Sequence, residues 1–249
     1  MKNTCLIVSL ALFVAGGSQL NAQSFSVTYG FDSVTTSSGT TDPTAVPTAA
    51  NVTFGSFSAG GYTGSPNAGG RFSFTGNPTG GVNGDNNFAD FTGSLSLTKY
   101  FTVTLTPATG FSLDLNSISF TLGRSSTGIR DYAVRSSLDS FGVNLPASIS
   151  PANASLAVDG NNDFQIVTDN STTVSLTGSL VTLGSDFDDI TGPVTLRFYG
   201  WNAEGSGGTF SIDNVNFVGN LTAVPTPEPS TLAMAALGGI ALVSMLRRK

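Results

Sequence analysis

The chain has 249 residues, with 10 Lys or Arg, 16 Asp or Glu, one Cys and no His. The absence of His excludes a Ser-His-Asp or Cys-His catalytic site and a His-ligated zinc, and one Cys excludes a disulfide framework. The pI is near 4.3 and basic residues are few, so we expect no nucleic-acid partner. The 39% of apolar residues, including 18 Phe, can form a core, so the chain is not wholly disordered.

The first 22 residues are typical of a cleavable secretory signal peptide. Lys2 provides the positive start, an apolar stretch runs from Cys5 to Ala15, and Ala22 is a small residue at the expected cleavage position. The alternative is a buried N-terminal helix or strand. A signal peptide implies export through the Sec translocon, and it would remove the single Cys from the mature chain.

Residues 23–223 predict an all-β domain without helices. Residues 94–106 alternate between apolar and polar side chains, and residues 111–115 repeat that period, which resumes at Ile118 after an irregularity at Asn116 and Ser117. Further strands are predicted at residues 25–29, 52–57, 72–74, 131–135, 164–167, 174–176, 194–199 and 210–218. About ten strands with turn signals between them predict a two-sheet antiparallel sandwich that is jelly-roll-like.

Two segments of this domain predict long loops. Residues 35–51 are rich in Thr, Ala and Pro, and residues 59–87 are rich in Gly, Asn and Pro. Loops of this length are often functional or mobile. Residues 23–223 hold six basic and fifteen acidic residues, a net charge of −9, so the exported part is more acidic than the whole chain at −6.

An acidic cluster forms the first candidate site. Asp186, Asp188 and Asp189 follow one another within a Gly-bounded segment. A solvated turn is one interpretation, and a calcium site is another, because carboxylates and loop carbonyls suit that cation. Catalysis is a third, since two carboxylates can hydrolyse a glycoside. The segment 159–163 leaves the same choice between a plain turn and a calcium site.

A group of aromatic and polar residues forms the second candidate site. Tyr199, Trp201 and Asn202 lie together before a Gly-rich stretch, and Trp201 is the only Trp of the chain. Such a ring could stack on a sugar while the polar groups bind its hydroxyls. The alternative is that Trp201 closes one end of the sandwich.

Three arginines lie close together in a chain that is poor in positive charge. Arg124, Arg130 and Arg135 could bind an acidic polysaccharide, or they could pair with local acids such as Asp131 and Asp139. Arg130 and Arg135 are an odd number of residues apart, so a regular strand would place them on opposite faces.

Two short β patterns resemble known sandwich modules. Residues 130–139, RDYAVRSSLD, resemble the strand and turn of galactose-binding, discoidin-like jelly rolls. Residues 210–217, FSIDNVNF, are similar to the closing strand of many carbohydrate-binding jelly rolls. The resemblance implies a jelly-roll domain with possible binding of extracellular polysaccharide. A fold does not by itself define a function.

The last segment, residues 224–249, predicts a membrane anchor. A spacer that contains Pro225, Pro227 and Pro229 precedes an apolar run over residues 232–246. Fifteen helical residues span about 22 Å, short of the roughly 30 Å hydrocarbon core, and snorkelling basic side chains can make up part of the difference. By the positive-inside rule, the basic end stays in the cytoplasm and the large domain lies outside. The anchor residues are Leu232, Leu237, Ile240, Leu242, Leu246, Arg247 and Arg248.

This tail resembles the PEP-CTERM sorting signal of Gram-negative bacteria, which has also been labelled an ice-binding-protein C-terminal region. The resemblance rests on Pro227, Glu228, Pro229 and Ser230, on the apolar run and on the basic end, in that order. It implies recognition by a membrane-embedded exosortase, cleavage near the motif and an inner-membrane intermediate. It also implies delivery to the cell surface or extracellular matrix. A plain stop-transfer anchor and a GPI signal are the alternatives, and the basic end disfavours the latter.

We therefore expect an exported protein that is not an enzyme. Its β-sandwich would have a structural or adhesive role, with possible carbohydrate binding and no cofactor other than calcium. The alternative is an Asp-based carbohydrate-active hydrolase at the envelope.

Overall fold

The computed structural model describes residues 22–169 and 172–225. The predicted signal up to residue 21 and the tail from residue 226 onward lie outside the described residues. Within those two ranges no helix is long and apolar enough to cross a bilayer. The helices described there are three 3₁₀ turns, Phe88–Asp90, Ser137–Asp139 and Ser185–Phe187.

The described residues form two antiparallel sheets, as predicted. One contains β1 (Gln23–Tyr29), β4 (Phe72–Phe74), β6 (Phe111–Arg124), β8 (Ala147–Ile149), β11 (Val174–Thr182) and β13 (Phe210–Ala223). We call it sheet A. Sheet B contains β2 (Val52–Phe54), β3 (Ser58–Gly60), β5 (Tyr100–Pro107), β7 (Asp131–Ser136), β9 (Leu156–Val158), β10 (Phe164–Ile166) and β12 (Val194–Trp201).

The order of the main strands is that of a jelly roll. Sheet A runs β1-β13-β6-β11 and sheet B runs β5-β12-β7-β10. The chain changes sheets at each main connection except the one from β7 to β10, so the pairs in each sheet join strands that are distant in sequence. The first strand begins at Gln23 and pairs there with Leu221 of the last strand, so both ends of the domain lie at one pole of the sandwich.

The irregularity predicted after residue 115 is a β-bulge. Residues 111–124 form one continuous strand, and its pairing with β13 shifts between Leu115 and Ser117, which leaves Asn116 as the extra residue. A bulge reverses which side of the strand later residues face. The buried residues therefore change from odd positions, such as Leu113, to even positions, such as Ile118 and Phe120.

The strand predicted over residues 94–106 is shorter in the structure. β5 begins only at Tyr100, and Leu97, expected on the buried face, is 55% exposed. Residues 96–99 form a turn, in which the Lys99 amide donates to the Ser96 carbonyl at 3.2 Å. The Ser96 and Thr98 hydroxyls bond to each other, and local bonds of this kind compete with a strand. Strands β3, β8 and β9 were not predicted.

The core between the sheets is rich in phenylalanine. Phe101 of sheet B stacks on Phe210 of sheet A, with ring centroids 4.6 Å apart and an interplanar angle of 8°. Phe72 packs edge-on against Phe101 at 5.0 Å. Tyr132 and Phe164 form a second stacked pair at 4.8 Å. Such pairs add about 0.5–1.5 kcal/mol each beyond burial of their area.

The Gly- and Asn-rich loop is fixed to the sandwich. Two fully buried arginines, Arg124 and Arg130, each contact the buried Glu204 carboxylate at 2.8 Å. Arg130 also donates to the Asp85 carbonyl and to Asn86 Oδ1, at 2.7 and 2.8 Å. This ion cluster closes the pole opposite the chain ends, where the sequence predicted a long loop that is functional or mobile.

Candidate functional site

A cleft of about 870 Å³ opens at the pole where β7 and β11 end. One wall is the segment 136–146 that follows β7, and the other is the segment 184–187 that follows β11. Because β7 lies in sheet B and β11 in sheet A, the cleft lies between the ends of the two sheets. β13 ends at the same pole, so the chain leaves the sandwich on the side of the cleft.

The rim of the cleft carries exposed apolar side chains. Leu138 is 45% exposed and Val143 is 66% exposed, and they are two of the five large hydrophobic side chains that are exposed in the described ranges. The buried Leu145 and Phe187 and the exposed Pro146 also line the cleft. Apolar walls with a few polar groups are typical of ligand sites.

The polar residues of the cleft fall into two groups. Asp139 accepts the backbone N–H groups of Gly142 and Val143, at 3.3 and 2.8 Å, so its carboxylate holds the wall in shape. Ser185 and Asp186 lie on the other wall in a 3₁₀ turn that has no side-chain cap. Asp186 is exposed and faces the cleft, so its carboxylate can accept hydrogen bonds from a ligand.

The three clustered aspartates lie apart in the structure. Asp186 lines the cleft, whereas Asp189 lines a smaller pocket of about 250 Å³ beside the exit of the chain. The Asp188 amide donates to the Ser185 carbonyl at 3.2 Å and ends the 3₁₀ turn. Residues 22–169 and 172–225 contain no group of three or more acidic, His or Cys side chains that could hold a metal. The predicted calcium site at Asp186, Asp188 and Asp189 is therefore not assembled.

The segment 159–163 is a turn held by its own first residue. Asp159 Oδ1 accepts the amides of Asn161 and Asp163, at 2.8 and 2.9 Å. These bonds are those of an Asx turn, which needs no cation. The segment 159–163 therefore forms an Asx turn, and its calcium interpretation stays a prediction.

The predicted sugar platform is buried. Tyr199, Trp201 and Asn202 have exposures of 1%, 6% and 6%. The two rings pack with Ala133 on the outer face of sheet B, where Leu95 covers them. Trp201 therefore offers no open surface for stacking on a sugar, because the segment before β5 lies over its ring. The alternative, that Trp201 closes one end of the sandwich, agrees with its burial but not with its position on a sheet face.

Asn202 has a structural role. Its Nδ2 donates to Asp131 Oδ2 at 2.7 Å, and its Oδ1 accepts the Gly93 amide at 2.8 Å. A Cβ on Gly93 would lie 2.4 Å from that oxygen, so only glycine fits this approach. Asn202 thus ties the loop before β5 to the end of β12.

The three arginines singled out in the sequence have separate roles. Arg124 and Arg130 are buried against Glu204, not against Asp131 or Asp139 as the pairing hypothesis expected. Arg135 lies on the outer face of sheet B, where its Nε donates to Asn144 Oδ1 at 2.7 Å. Arg130 precedes β7, so the expectation for two arginines on one regular strand does not apply to it.

Burial raises the pKa of Asp131 to about 6. The hydrogen bonds from Asn202 and Gln165 and the charge of Arg130 lower it, and Asp159 raises it further. In the unfolded chain this carboxyl titrates near pH 4. Between those values the folded state binds more protons than the unfolded state, so the free energy of unfolding falls as pH rises.

We expect unfolding of the protein to require about 2 kcal/mol less free energy at pH 7 than near pH 4.5 through this group. Denaturant titrations at several pH values measure the slope. Asp131→Asn should reduce the slope by about half, because burial also raises the pKa of Asp163 to about 6 and that carboxyl contributes a slope of the same sign. Asp188→Asn, an exposed acid-to-amide change, should leave the slope as in the wild type. A slope that Asp131→Asn does not alter would show that another group titrates.

Together, the fold and the cleft define a β-sandwich protein with a potential ligand site near the exit of its chain. Residues 225–249 match the PEP-CTERM protein-sorting motif, so the chain carries that sorting signal immediately after the sandwich. The motif indicates exosortase-dependent export and membrane-associated sorting to the cell surface.

The other comparisons define no family for the sandwich itself. No curated protein matches the chain. Part of the chain is similar to a solved structure, the CBM27-1 module of Caldicellulosiruptor saccharolyticus in complex with mannohexaose. It is 14% identical, covers 49% of this chain and 80% of that chain, and has a TM-score of 0.22. A similarity at that score supports no conclusion about function.

Apart from Asp186, sequence patterns did not predict the residues that form the cleft. Leu138 and Val143 lie in a segment that alternates poorly, and Ser185 seemed an ordinary turn residue. Leu138 and Val143 follow the end of β7, and Ser185 follows the end of β11. Only the pairing of those strands within the two sheets brings them together.

Proposed function

We propose that the chain is an exported bacterial surface protein whose sandwich binds a neutral saccharide in the cleft without cleaving it. The sorting motif supports the location. The single observation that supports binding is the cleft, with Leu138 and Val143 exposed on its rim beside Ser185 and Asp186. The role of such a protein is adhesive or structural, in the envelope or the extracellular matrix.

The chemistry of the cleft suits a sugar. A pyranose ring has apolar C–H faces that can pack on Leu138, Val143 and Pro146. Its hydroxyls can donate to the Asp186 carboxylate and exchange hydrogen bonds with Ser185. The domain has a net charge of −9, which favours a neutral ligand over an anionic one in a cleft that presents carboxylates.

We expect Val143→Asp to weaken saccharide binding at least about tenfold, because it replaces an apolar contact with a charge. Asp186→Ala should weaken binding similarly through lost hydrogen bonds. Calorimetry with short neutral gluco-, manno- and galacto-oligosaccharides, on the purified protein, measures the affinity.

Val82→Asp is the matched control, since Val82 is 43% exposed and lies outside the cleft. Equal saccharide affinity in the wild type and in Val143→Asp would show that the cleft is not the binding site.

The hydrolase alternative was based on the cluster of Asp186, Asp188 and Asp189, of which only Asp186 lines the cleft; the second carboxylate there is that of Asp139. Hydrolysis would release shorter saccharides, and Asp186→Asn would abolish their release while leaving the fold intact. Our proposal requires that the saccharide is recovered unchanged from the wild-type protein.

Processing of the tail is a separate prediction. Deletion of Pro227 to Pro229 should abolish exosortase processing and leave the protein at the inner membrane, because the enzyme recognises the motif. Immunoblotting of membrane and surface fractions, with intact mass, measures the effect. Asp188→Asn, a substitution at an exposed position of the sandwich, is the control for general loss of export. Unchanged mass and surface delivery would contradict the sorting assignment.

A further inference from the structure

The middle of the outer face of sheet B carries two arginines side by side. Arg197 of β12 pairs in register with Arg135 of β7, so both side chains leave the sheet on the same face. Like charges directly opposite one another destabilise a sheet. Residues 23–223 contain only six basic side chains, and two of them are neighbours on this face. The repulsion between them lowers stability, which suggests that the pair has a function.

The Arg197 guanidinium is held between two aromatic rings. Its central carbon lies 3.9 Å from the Tyr100 ring centroid and 3.8 Å from that of Phe141. Because rings cover both faces of the Arg197 guanidinium, it can form hydrogen bonds only through the N–H groups in its own plane. The ring contacts therefore fix the plane in which an acceptor must lie.

Neither arginine forms a direct ion pair with a described residue, although the charge of Arg135 lowers the pKa of Asp163. Within the described ranges the ion pairs involve only Arg124 and Arg130. Arg197 Nε is buried without a hydrogen-bond partner. Arg135 donates to Asn144 Oδ1 and to the Phe141 carbonyl, through Nε and Nη1, which leaves Nη2 for another acceptor.

A buried hydroxyl lies beside the two arginines. The Tyr199 residue is 1% exposed, and its hydroxyl has no other hydrogen-bond partner than the neighbouring Arg197 side chain. Burial raises the pKa of Tyr199, and the hydrogen-bonding contact with Arg197, followed by the charges of Arg197 and Arg135, opposes that rise. Because a guanidinium group only donates, the hydroxyl accepts from Arg197 and helps to position it.

We infer that Arg135 and Arg197 form a binding site for a carboxylate of an acidic saccharide. A planar carboxylate fits a guanidinium edge with two parallel hydrogen bonds. The partly exposed Thr102, Thr104 and Thr195 continue the same face along β5 and β12, and offer a polar strip for the rest of the chain of sugars. The site is separate from the cleft and does not depend on it.

Binding of an oligouronate by the purified full-length protein tests this site, with the neutral oligosaccharide of the same backbone as reference. We expect the wild type to prefer the oligouronate, and Arg197→Gln and Arg135→Gln each to lose about tenfold or more in affinity. Arg197→Lys keeps the charge but not the planar fork, so it should also lose affinity. Lys99→Gln removes one charge elsewhere and should stay within about twofold of the wild type.

If a variant is less stable, binding can still be measured as the rise in unfolding temperature that the ligand causes. The oligouronate should raise the unfolding temperature of the wild type and of Val143→Asp, but not that of Arg197→Gln. The inference fails if the wild type does not bind the oligouronate. It also fails if Lys99→Gln loses as much affinity as Arg197→Gln, since that would indicate non-specific attraction. Loss of neutral-saccharide binding in Val143→Asp alone concerns only the cleft.

Discussion

Glu204→Gln should lower the free energy of unfolding by about 3–5 kcal/mol, because it leaves two buried positive charges without their partner. The Glu204 side chain is fully buried, and its two oxygens contact Arg124 Nη2 and Arg130 Nη1 at 2.8 Å. Asp169 lies farther away, at 3.6 Å from Arg124 and 4.0 Å from Arg130, and its side chain is 14% exposed. It cannot replace the missing carboxylate.

The loss should be felt first at the loop before β5. Arg130 stacks near the rings of Phe88 and Phe91, at 5.5 and 5.1 Å, and donates to Asn86. Hydrogen exchange should therefore report faster opening of residues 84–93 in Glu204→Gln, along with the lower unfolding midpoint. Asp188→Asn makes the same acid-to-amide change at an exposed position and should cost less than about 0.5 kcal/mol. A Glu204→Gln protein as stable as that control would show that the cluster does not hold the loop.

Phe101→Ala should cost about 3–5 kcal/mol through the cavity it creates. The Phe101 ring is fully buried, stacks on Phe210 and contacts Phe72 and Tyr62, with centroids 5.0 and 5.5 Å away. Because Phe101 and Phe210 come from different sheets, this ring joins the two halves of the core. Denaturant unfolding at equilibrium measures the change.

Two variants calibrate that result. Phe101→Leu keeps most of the volume and should cost clearly less than Phe101→Ala. Leu97→Ala removes an apolar side chain that is 55% exposed, and should change stability little. Equal costs for Phe101→Ala and Leu97→Ala would contradict a core organised around this stack.

Local patterns predicted the strands well where one face is buried and the other is wet. Alternation placed Phe101, Val103 and Leu105 on the inner face, and all three are buried. It also located the break at Asn116, because the apolar positions change parity there. The pattern failed over residues 94–99, since Leu95 and Leu97 keep the period but the Ser and Thr hydroxyls between them bond locally.

The ion cluster could not be predicted, because its partners are far apart in sequence. Glu204 lies 80 residues from Arg124 and 74 from Arg130. The sequence did mark these residues as unusual, because Glu204 is the only Glu of residues 23–223 and basic residues there are few. Only the strand connections show that Glu204 contacts Arg124 and Arg130.

The two proposed sites could not be predicted from the sequence for a related reason. Arg197 was not singled out, since its significance depends on the register that sets it opposite Arg135. Trp201 was singled out because aromatic rings bind sugars, yet the covering segment around Leu95 removes it from solvent. Of the three clustered aspartates, only Asp186 lines the cleft, and Asp189 lines the smaller pocket.

The central claim is that the sandwich binds a saccharide in its cleft and leaves it intact. The most direct measurement is to incubate the purified protein with neutral oligosaccharides, record the affinity and weigh the recovered saccharide by mass spectrometry. We predict saturable binding that Val143→Asp weakens and Val82→Asp does not, with the saccharide recovered at its original mass. Shorter products that disappear in Asp186→Asn, or binding that is equal in all three proteins, would contradict the claim.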